Sequence, residues 1–560
     1  MKFLRRHTLL VLLLLFAALS GFAQSPKIAP DLLNQIGSSS GSLNVVVQYN
    51  PSSSSPGGLL GLLDNLLGGL LNLINSLGGV VTHQYNSFPA LSATMPASNI
   101  TTLANNSSVA YISPDRQLSG TLDLTTAAVN ANWAFQSGYT GEGVGVAVID
   151  SGIYNHPDLA GKVVYRQSFV PTTNTDDYGH GTHVAGIVAG SGASSTGPNF
   201  SITYRGVAPG ASLIDLRVLD ANGMSNDSIV LAAIDRAIAL KSAYNIRVIN
   251  LSLGRPIYES ATLDPICNAV EAAWKDGIVV VAAAGNSGRN GYATILSPGN
   301  SPYAITVGAM KTEGTPQRSD DLIASYSSRG PTYIDDYVKP DIVAPGNLVT
   351  SLLAPGSTLS QEFPANVVSS SVYMKSGSAP PLYFVLSGTS MATPVVSAAA
   401  AILISNEPGL TPDTVKARLM KSSGKTFPAS SCATDSTGTY CDTYDIFTVG
   451  AGYLDIEAAV NNQNGSSGLA LSPSALWNPL LSTALLVKSP FSLWDNNVWS
   501  VENVWGTQVI EPVGGSSAAW GTSAAWGSSA AWGTSAAWGT SAAWGTSAAW
   551  GTSVNGNGEK

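Results

Sequence analysis

Ser390 has the sequence surroundings of a reactive hydroxyl. It follows a Gly-Thr pair and opens an apolar, alanine-rich run that continues to Leu403. A turn followed by such a run predicts a buried helix whose first backbone N–H groups and dipole favour negative charge. A serine hydroxyl is a weak nucleophile by itself, so this interpretation requires a base within hydrogen-bond reach and a carboxylate that orients the base.

Both partners occur upstream. Asp150 ends the apolar run 143–149, which predicts a buried parallel strand, and sites of open α/β sheets lie at the carboxyl ends of such strands. His180 stands in Gly-His-Gly-Thr-His, where glycines permit a tight turn before a helix of small residues. Each residue alone has an ordinary interpretation, as a strand-end carboxylate or a hydrogen-bonded loop histidine. Together, in the order Asp, His, Ser, they predict nucleophilic acyl transfer.

These motifs resemble the subtilisin-like (subtilase) family of serine endopeptidases, over the region from Leu122 to Val460. A fourth element, Ala-Ala-Gly-Asn-Ser-Gly around Asn286, supports the resemblance. The resemblance implies an α/β fold, doubly wound, with a mostly parallel sheet flanked by helices. It also implies a triad of Asp150, His180 and Ser390, and an oxyanion hole formed by the Asn286 amide and the Ser390 N–H. Each such donor contributes about 10²- to 10³-fold in rate.

The resemblance further implies how substrate binds. In the family, segments that match Ser252-Leu253-Gly254 and Ala283-Ala284-Gly285 wall the S1 pocket, and Gly223-Met224-Ser225 matches an edge that pairs with extended substrate. Such pairing reads the backbone, so a broad sequence preference is expected. Arg255 stands where glycine is common in the family, and we therefore expect substrates with an acidic residue near the cleft to be favoured.

Two other classes of protein compete with this interpretation. An adhesion protein built on an inactive protease scaffold would lack a triad residue. An acid-acting carboxyl serine peptidase of related fold would lack the Gly-His-Gly-Thr-His motif and use a glutamate. Near the site, His183 is interpreted as a packing histidine, because no third ligand with metal-site spacing accompanies it and His180. Asp176 and Asp177 are interpreted as solvated loop charges.

The first 120 residues predict export and an accessory domain. Residues 1–23 combine basic residues, an apolar core and a small-x-small end, which predicts a signal peptide and a secreted protein, in the medium or the periplasm. Residues 24–120 show a strand, helix, strand, strand, helix, strand pattern that resembles the subtilase propeptide, an intramolecular inhibitor. A retained N-terminal domain is the alternative. Leucines at helical spacing in 57–79 favour an amphipathic helix over a membrane span, because asparagines and glycines interrupt them.

Composition and cysteine spacing add further limits. The net charge of −9, with 11 % charged residues, gives no electrostatic support for nucleic-acid binding. Cys432 and Cys441 bracket a short polar segment that a disulfide can close, whereas Cys267 lies in a helical pattern and reads as a buried thiol. A monomer that acts on proteins or peptides without a cofactor is expected. Bound calcium is common in the family, but no loop here has a ligand spacing that places it.

The chain continues past the predicted catalytic domain, 121–463. Residues 464–513 form an extension that contains Trp and Leu, and residues 514–560 contain Ser-Ala-Ala-Trp-Gly-Thr units with a tryptophan at every sixth position from Trp520 to Trp550. In an extended chain this even spacing places every tryptophan on one side, which would suit surface attachment or carbohydrate contact. We favour the interpretation of a low-complexity tail that is dispensable for proteolysis.

Overall fold

The computed structural model describes residues 27–38, 41–50, 59–84, 90–114, 122–171, 175–435, 437–462, 468–478, 483–487, 498, 550–551 and 558–559. The predicted signal peptide lies outside the described residues, as do most of the extension 464–513 and most of the tryptophan repeats. The chain divides into two compact units, Met1–Leu118 and Ser119–Lys560.

The first unit is a small antiparallel sheet with helices. Its elements are α1 (Pro30–Ser38), β1 (Ser42–Tyr49), α2 (Leu59–Ser76), β2 (Val80–Gln84), β3 (Ala90–Pro96), α3 (Ala97–Ala104) and β4 (Val109–Pro114), with strand order β2-β3-β1-β4. From β1 onwards this is the order that the sequence predicts. In the part of α2 whose side chains are described, Leu70 and Ile74 are buried while Asn72 and Asn75 are exposed, which agrees with an amphipathic helix. The role of this unit as a propeptide stays a prediction.

The second unit is organised around an eight-stranded sheet. Its strands are β5 (Gly145–Asp150), β6 (Val163–Ser168), β7 (Ser212–Arg217), β9 (Ile246–Leu251), β10 (Val279–Ala283), β11 (Ile305–Lys311), β12 (Leu322–Ile323) and β13 (Ile342–Pro345). The order is β12-β11-β10-β9-β5-β7-β6, with β13 also paired to β11, and only the β11–β12 pairing is antiparallel.

Shorter strands lie outside the main sheet. A three-stranded sheet contains β14 (Val349–Leu352), β15 (Val367–Val368) and β16 (Tyr383–Leu386), and two hairpins pair β17 (Ser430–Asp435) with β18 (Gly438–Thr443) and β19 (Ser474–Asn478) with β20 (Thr483–Val487). The two-residue strand β8 (Met224–Ser225) pairs with β21 (Trp550–Gly551) from the end of the chain.

Helices cover both faces of the main sheet. They are α4 (Leu122–Ala128), α5 (Ala131–Gln136), α6 (His180–Ala189), α7 (Asp227–Tyr244), α8 (Pro265–Lys275), α9 (Thr358–Glu362), α10 (Ser370–Tyr373), α11 (Thr389–Asn406), α12 (Pro412–Ser422) and α13 (Ile456–Asn461). Alternate residues of β5 enter two separate cores: Val146 and Val148 join the core with α6 and α11, and Ala147 and Ile149 join the core with α7 and α8. This two-sided burial confirms the predicted doubly wound α/β fold.

Helix α11 is the central helix of the larger core. It is buried from Thr389 to Ile404 and packs against α6 and against strands β9, β10 and β11. Among the described residues, it is the helix whose length and apolar composition would be enough to cross a bilayer, and 89 % of it is buried inside the fold.

Candidate active site

Asp150 stands at the carboxyl end of β5, a central strand whose six residues are all buried. Its backbone carbonyl accepts from the Val218 and Leu219 N–H groups at 2.7 and 3.2 Å, and its Oδ1 accepts from the N–H of Ser151 at 2.7 Å. The side chain is fully buried. A buried carboxylate is costly unless it is hydrogen-bonded or paired, so this one requires a partner.

His180 provides that partner from the first position of α6. Its Nδ1 lies 2.8 Å from Asp150 Oδ1 and 3.0 Å from Oδ2, and neither side chain is exposed. The carboxylate accepts a hydrogen bond, so the proton is held on Nδ1 and the second ring nitrogen, Nε2, keeps its lone pair. Among the described residues this buried Nε2 has no hydrogen-bond partner. His180 therefore binds Asp150 through Nδ1 and leaves Nε2, on the other side of the ring, able to act as a base.

Asp176 holds the turn that carries His180. Its carboxylate accepts from the Ser151 hydroxyl at 2.8 Å, from the Gly179 N–H at 2.7 Å, and from the N–H and hydroxyl of Thr182 at 2.9 and 2.5 Å. Ser151 in turn accepts from the Gly181 N–H at 2.8 Å. Burial raises the pKa of Asp176, and the hydrogen bonds from Thr182, Gly179 and Ser151 oppose that rise. The interpretation of Asp176 as a solvated loop charge is wrong, because it is the buried connector between β5 and α6.

Asp177 has a separate role from its neighbour. Its Oδ2 accepts from Arg217 Nη2 at 2.8 Å, and its side chain keeps 17 % exposure. The residue is thus a partly exposed ion pair to the end of β7 rather than an isolated solvated charge.

Ser390 is the second residue of α11 and is almost completely buried. Its hydroxyl donates to the Ser252 carbonyl at 3.1 Å, and its own carbonyl accepts from the Ser252 hydroxyl at 2.8 Å. Proline has no N–H, so Pro394 cannot donate to the Ser390 carbonyl four residues earlier, and Ser252 supplies the missing donor. The structure places Asp150 and His180 in direct contact, whereas the Ser390 hydroxyl bonds to Ser252, the residue that follows β9.

Asn286 follows β10 and reaches the turn before Ser390. Its Oδ1 accepts from the N–H and the hydroxyl of Thr389 at 2.8 and 3.1 Å. Its amide Nδ2 would lie 3.1 Å from a Cβ at Gly388, whose φ is +153°. A side chain at position 388 would therefore crowd the amide. The two contacts with Thr389 hold the Asn286 side chain beside the turn that carries Ser390.

The six predicted substrate-binding residues occupy one edge of the sheet. Ser252, Leu253 and Gly254 follow β9, while Ala283, Ala284 and Gly285 end and follow β10, its parallel neighbour. A Cβ at Gly254 or at Gly285 would lie 3.0 or 2.8 Å from side-chain atoms of Leu296. Leu296, whose N–H donates to the Ala284 carbonyl at 3.0 Å, thus lies between the two segments. Leu296 was not predicted as a site residue. The sequence offered only an isolated leucine before Ser-Pro at this position.

Arg255 does not present its charge to the cleft. It is 4 % exposed, and its guanidinium lies 3.0 Å from Asp227, 3.1 Å from Asp264 and 3.6 Å from Glu259. Three acidic side chains compensate this arginine, of which Asp264 is buried and Asp227 and Glu259 are partly exposed. The expected preference for acidic substrates therefore loses its structural basis.

His183 and Cys267 are packed inside the fold. His183 Nε2 lies 3.0 Å from both the Val349 and Phe384 carbonyls, and burial, together with the nearby His180, lowers its pKa to about 3. The Cys267 thiol donates to Asn300 Oδ1 at 3.2 Å, and burial raises its pKa. The described residues contain no group of three or more His, Cys, Asp or Glu side chains arranged to hold a metal ion.

The two remaining cysteines close a hairpin. Cys432 and Cys441 face each other across β17 and β18 and form a disulfide. Asp435, at the end of β17, accepts from Arg289 at 2.6 Å, which ties the hairpin to the loop that carries Asn286.

Comparison with known proteins agrees with this architecture. Residues 141–452 match the model of the Subtilase family. The chain is 39 % identical to serine protease AprX of Bacillus subtilis over 356 residues, 61 % of this chain and 76 % of the relative. It is 35 % identical to subtilisin E of the same species over 390 residues, 68 % and 83 % of the two chains, and 35 % identical to an alkaline protease of Shouchella clausii over 337 residues, 58 % and 72 %. The chain therefore belongs to the subtilase family and is a subtilisin-like serine endopeptidase.

Proposed function

We propose that this endopeptidase is secreted, is made as a self-processed zymogen, and cleaves peptide bonds through Asp150, His180 and Ser390. The observation that carries the proposal is the buried Asp150–His180 pair, in which the carboxylate accepts a hydrogen bond from Nδ1 while Nε2 has no partner among the described residues. A serine nucleophile requires a base of this kind, with a lone pair that is not already used in a hydrogen bond.

The proposed reaction is acyl transfer. The Ser390 hydroxyl leaves the Ser252 carbonyl and bonds to His180 Nε2, as catalytic hydrogen bonds often tighten only with substrate bound. His180 takes the proton while Ser390 Oγ attacks the scissile carbonyl carbon, and Asp150 stabilises the imidazolium. The imidazolium then protonates the leaving amine. Water, deprotonated by His180, hydrolyses the acyl-enzyme and restores Ser390.

The oxyanion is proposed to lie between two donors. One is the Asn286 amide, whose oxygen is occupied by Thr389. The other is the Ser390 N–H, one of the first N–H groups of α11, which have no acceptor within the helix. The helix dipole adds favourable potential at the same point. No metal or cofactor enters this scheme, and that expectation stays a prediction.

Substrate is proposed to bind as an extended strand. Its backbone would pair with β8, and one side chain would enter the pocket walled by 252–254, 283–285 and Leu296. Because backbone pairing carries the affinity, cleavage of many sequences is expected.

Export and zymogen processing are supported by features of the N-terminal residues and by the disulfide. The pattern of residues 1–23 supports export, and the disulfide between Cys432 and Cys441 suits an oxidising compartment. The antiparallel unit that precedes the catalytic unit supports the role of propeptide and intramolecular inhibitor.

Labelling with a serine-directed phosphonate tests the nucleophile. Mass spectrometry of the labelled protein is expected to find the phosphonate on Ser390, and Ser390→Ala is expected to abolish both labelling and peptide hydrolysis. Ser405→Ala, on the same helix with its hydroxyl bonded to Glu142, is the matched control and should label normally. A folded, unlabelled wild-type protein would contradict the proposal.

The same samples test self-processing. Wild-type protein is expected to carry a new N-terminus between Ser113 and Thr126, whereas purified Ser390→Ala should keep its N-terminal unit. Processing of the Ser390→Ala variant without any outside protease would rule out self-cleavage.

A further inference from the structure

The penultimate residue of the chain is held in a polar recess of the catalytic unit. Glu559 is 6 % exposed; its Oε1 lies 2.9 Å from Arg289 Nη2, and its Oε2 accepts from the Ser325 N–H at 2.9 Å. The Ser325 hydroxyl also bonds to this carboxylate, and Lys311 Nζ lies 4.0 Å away. Two cations, a backbone donor and a hydroxyl therefore converge on one carboxylate, which is the donor set of a carboxylate-binding site.

The recess also forms hydrogen bonds with the backbone of the tail. Asn347 Nδ2 donates to the Glu559 carbonyl at 2.6 Å, and Asn347 Oδ1 accepts from the Glu559 N–H at 2.8 Å. Gly558 has a φ of +59°, and a Cβ there would lie 2.3 Å from the Leu348 side chain and 2.7 Å from Ser387 Oγ. A glycine before the glutamate is thus required for this approach.

The recess borders the catalytic turn. Arg289 lies three residues after Asn286, and Ser387 lies three residues before Ser390. The Ser387 hydroxyl that faces Gly558 accepts from the Leu348 N–H at 2.8 Å. The end of the tail therefore packs on the segment that presents the proposed nucleophile.

A second part of the tail pairs with the proposed substrate edge. Trp550 is opposite Ser225 and Gly551 is opposite Met224, in antiparallel register. This edge lies on the His180 side, because a Cβ at Gly223 would lie 2.6 Å from the Tyr178 ring, whose centroid is 6.4 Å from that of His180. Residues 552–557 between the two parts lie outside the described residues.

We propose that Arg289, Lys311, Ser325 and Asn347 form a recognition site for a Gly-Glu segment, that its ligand is the chain's own Gly558–Glu559, and that the anchored tail competes with extended substrate for β8. This inference rests on the proposed function, since it assigns β8 to substrate. It gives the end of the tail a role in proteolysis, which the low-complexity interpretation did not foresee.

Peptide binding to the full chain tests the proposal. A Ser390→Ala background prevents autolysis, and fluorescence anisotropy measures the Kd of a labelled extended peptide. Glu559→Lys is expected to lower this Kd about threefold to tenfold, the gain expected when an intramolecular competitor is released. Arg289→Met is expected to act in the same direction. Glu362→Lys, which changes an exposed glutamate outside the recess, is the matched control and should leave the Kd unchanged.

A second measurement isolates the recess from the substrate edge. A labelled peptide of residues 550–560 is expected to bind the Ser390→Ala, Glu559→Lys double variant, and the same peptide with lysine in place of Glu559 is expected to bind at least tenfold more weakly. Equal Kd values for Glu559→Lys and Glu362→Lys, or equal binding of the two tail peptides, would overturn the inference. Phosphonate labelling of Ser390 in the parent enzyme reports on the proposed function separately, so the two failures are distinguishable.

Discussion

Two buried clusters of ionisable side chains in the catalytic unit differ in whether their polar atoms have hydrogen-bond partners. In the Asp150–His180 pair, one ring nitrogen has no partner among the described residues. In the cluster of Lys339, Asp341 and Lys416, all three side chains are equally buried, but each charged group has at least two hydrogen-bond or ion-pair partners.

The lysine cluster is surrounded by its own partners. Lys339 Nζ lies 2.7 Å from Asp341 Oδ2, and Lys416 Nζ lies 3.2 Å from Asp341 Oδ1. Both lysines also donate to the Ala304 carbonyl, and Asp341 accepts from Ser472 and the Thr306 N–H at 2.6 and 2.8 Å. Burial lowers the pKa of both lysines, and their contact with Asp341 opposes that effect.

The difference distinguishes a cluster that stabilises the fold from a pair that can take part in proton transfer. A buried charge cluster whose members hydrogen-bond to one another and to the backbone holds neighbouring segments together, here the start of β13, α12 and the loops around 302 and 472. A buried base with one lone pair unused contributes less to stability and is available for proton transfer. Mutations in the two clusters should therefore affect different quantities.

Removal of His180 should have the largest effect, and on rate. His180→Ala is expected to lower kcat for a synthetic peptide by about 10⁶-fold, the loss that the corresponding change causes in subtilisin itself. His183→Gln, one helical turn away, is the control and should keep wild-type kcat. Comparable losses in both variants would mean that the damage is to packing of α6 rather than to catalysis.

Removal of Asp341 should act on stability. Asp341→Ala leaves two buried lysines without their shared counter-ion, so the free energy of unfolding is expected to fall by about 3–5 kcal/mol. Urea titration in the Ser390→Ala background measures it. Asp276→Asn, which removes the partly exposed partner of Lys241, should cost less than about 1 kcal/mol. If Asp341→Ala were as stable as this control, the cluster would not be structural.

Substitutions of Asn286 test whether this residue donates a hydrogen bond to the oxyanion or only positions the turn before Ser390. Asn286→Ala is expected to lower kcat about 10²- to 10³-fold with little change in KM, the effect of losing one oxyanion donor in subtilisin. Asn286→Asp retains an oxygen that can accept from Thr389 but removes the donor, so it should lose as much. An active Asn286→Asp enzyme would show that the residue only positions the turn.

The smallest expected effect is a pH dependence from His183. Its pKa falls from 6.5 to about 3 on folding because burial disfavours the charged ring. The unfolded chain therefore binds the extra proton, so the stability from this group is complete above pH 6.5 and is lost as the pH falls towards 3. Between pH 7.5 and 4.5, the Ser390→Ala protein should lose about 2 to 3 kcal/mol more than its His183→Gln derivative in urea titrations. Equal losses would mean that His183 is not buried in the neutral form.

Much of the fold was predictable because its signals are local. The apolar run that ends at Asp150, the glycines around His180 and the alanine-rich run after Ser390 each specify an element over a few residues. The element order of the N-terminal unit and the two-sided burial of β5 follow from such patterns. Arg255 shows the limit, because the acidic side chains that surround it come from residues 227, 259 and 264.

By itself, the sequence determined the fold class and the residue types available for chemistry, since periodicity and short motifs depend only on neighbours along the chain. Only the tertiary structure decided that Asp176 joins β5 to α6, that Leu296 lies between two strand ends, and that Glu559 occupies a recess formed by Arg289 and Asn347. Glu559 is 270 and 212 residues from those two partners. Contacts at such separations arise from packing of distant elements, and no local pattern encodes them.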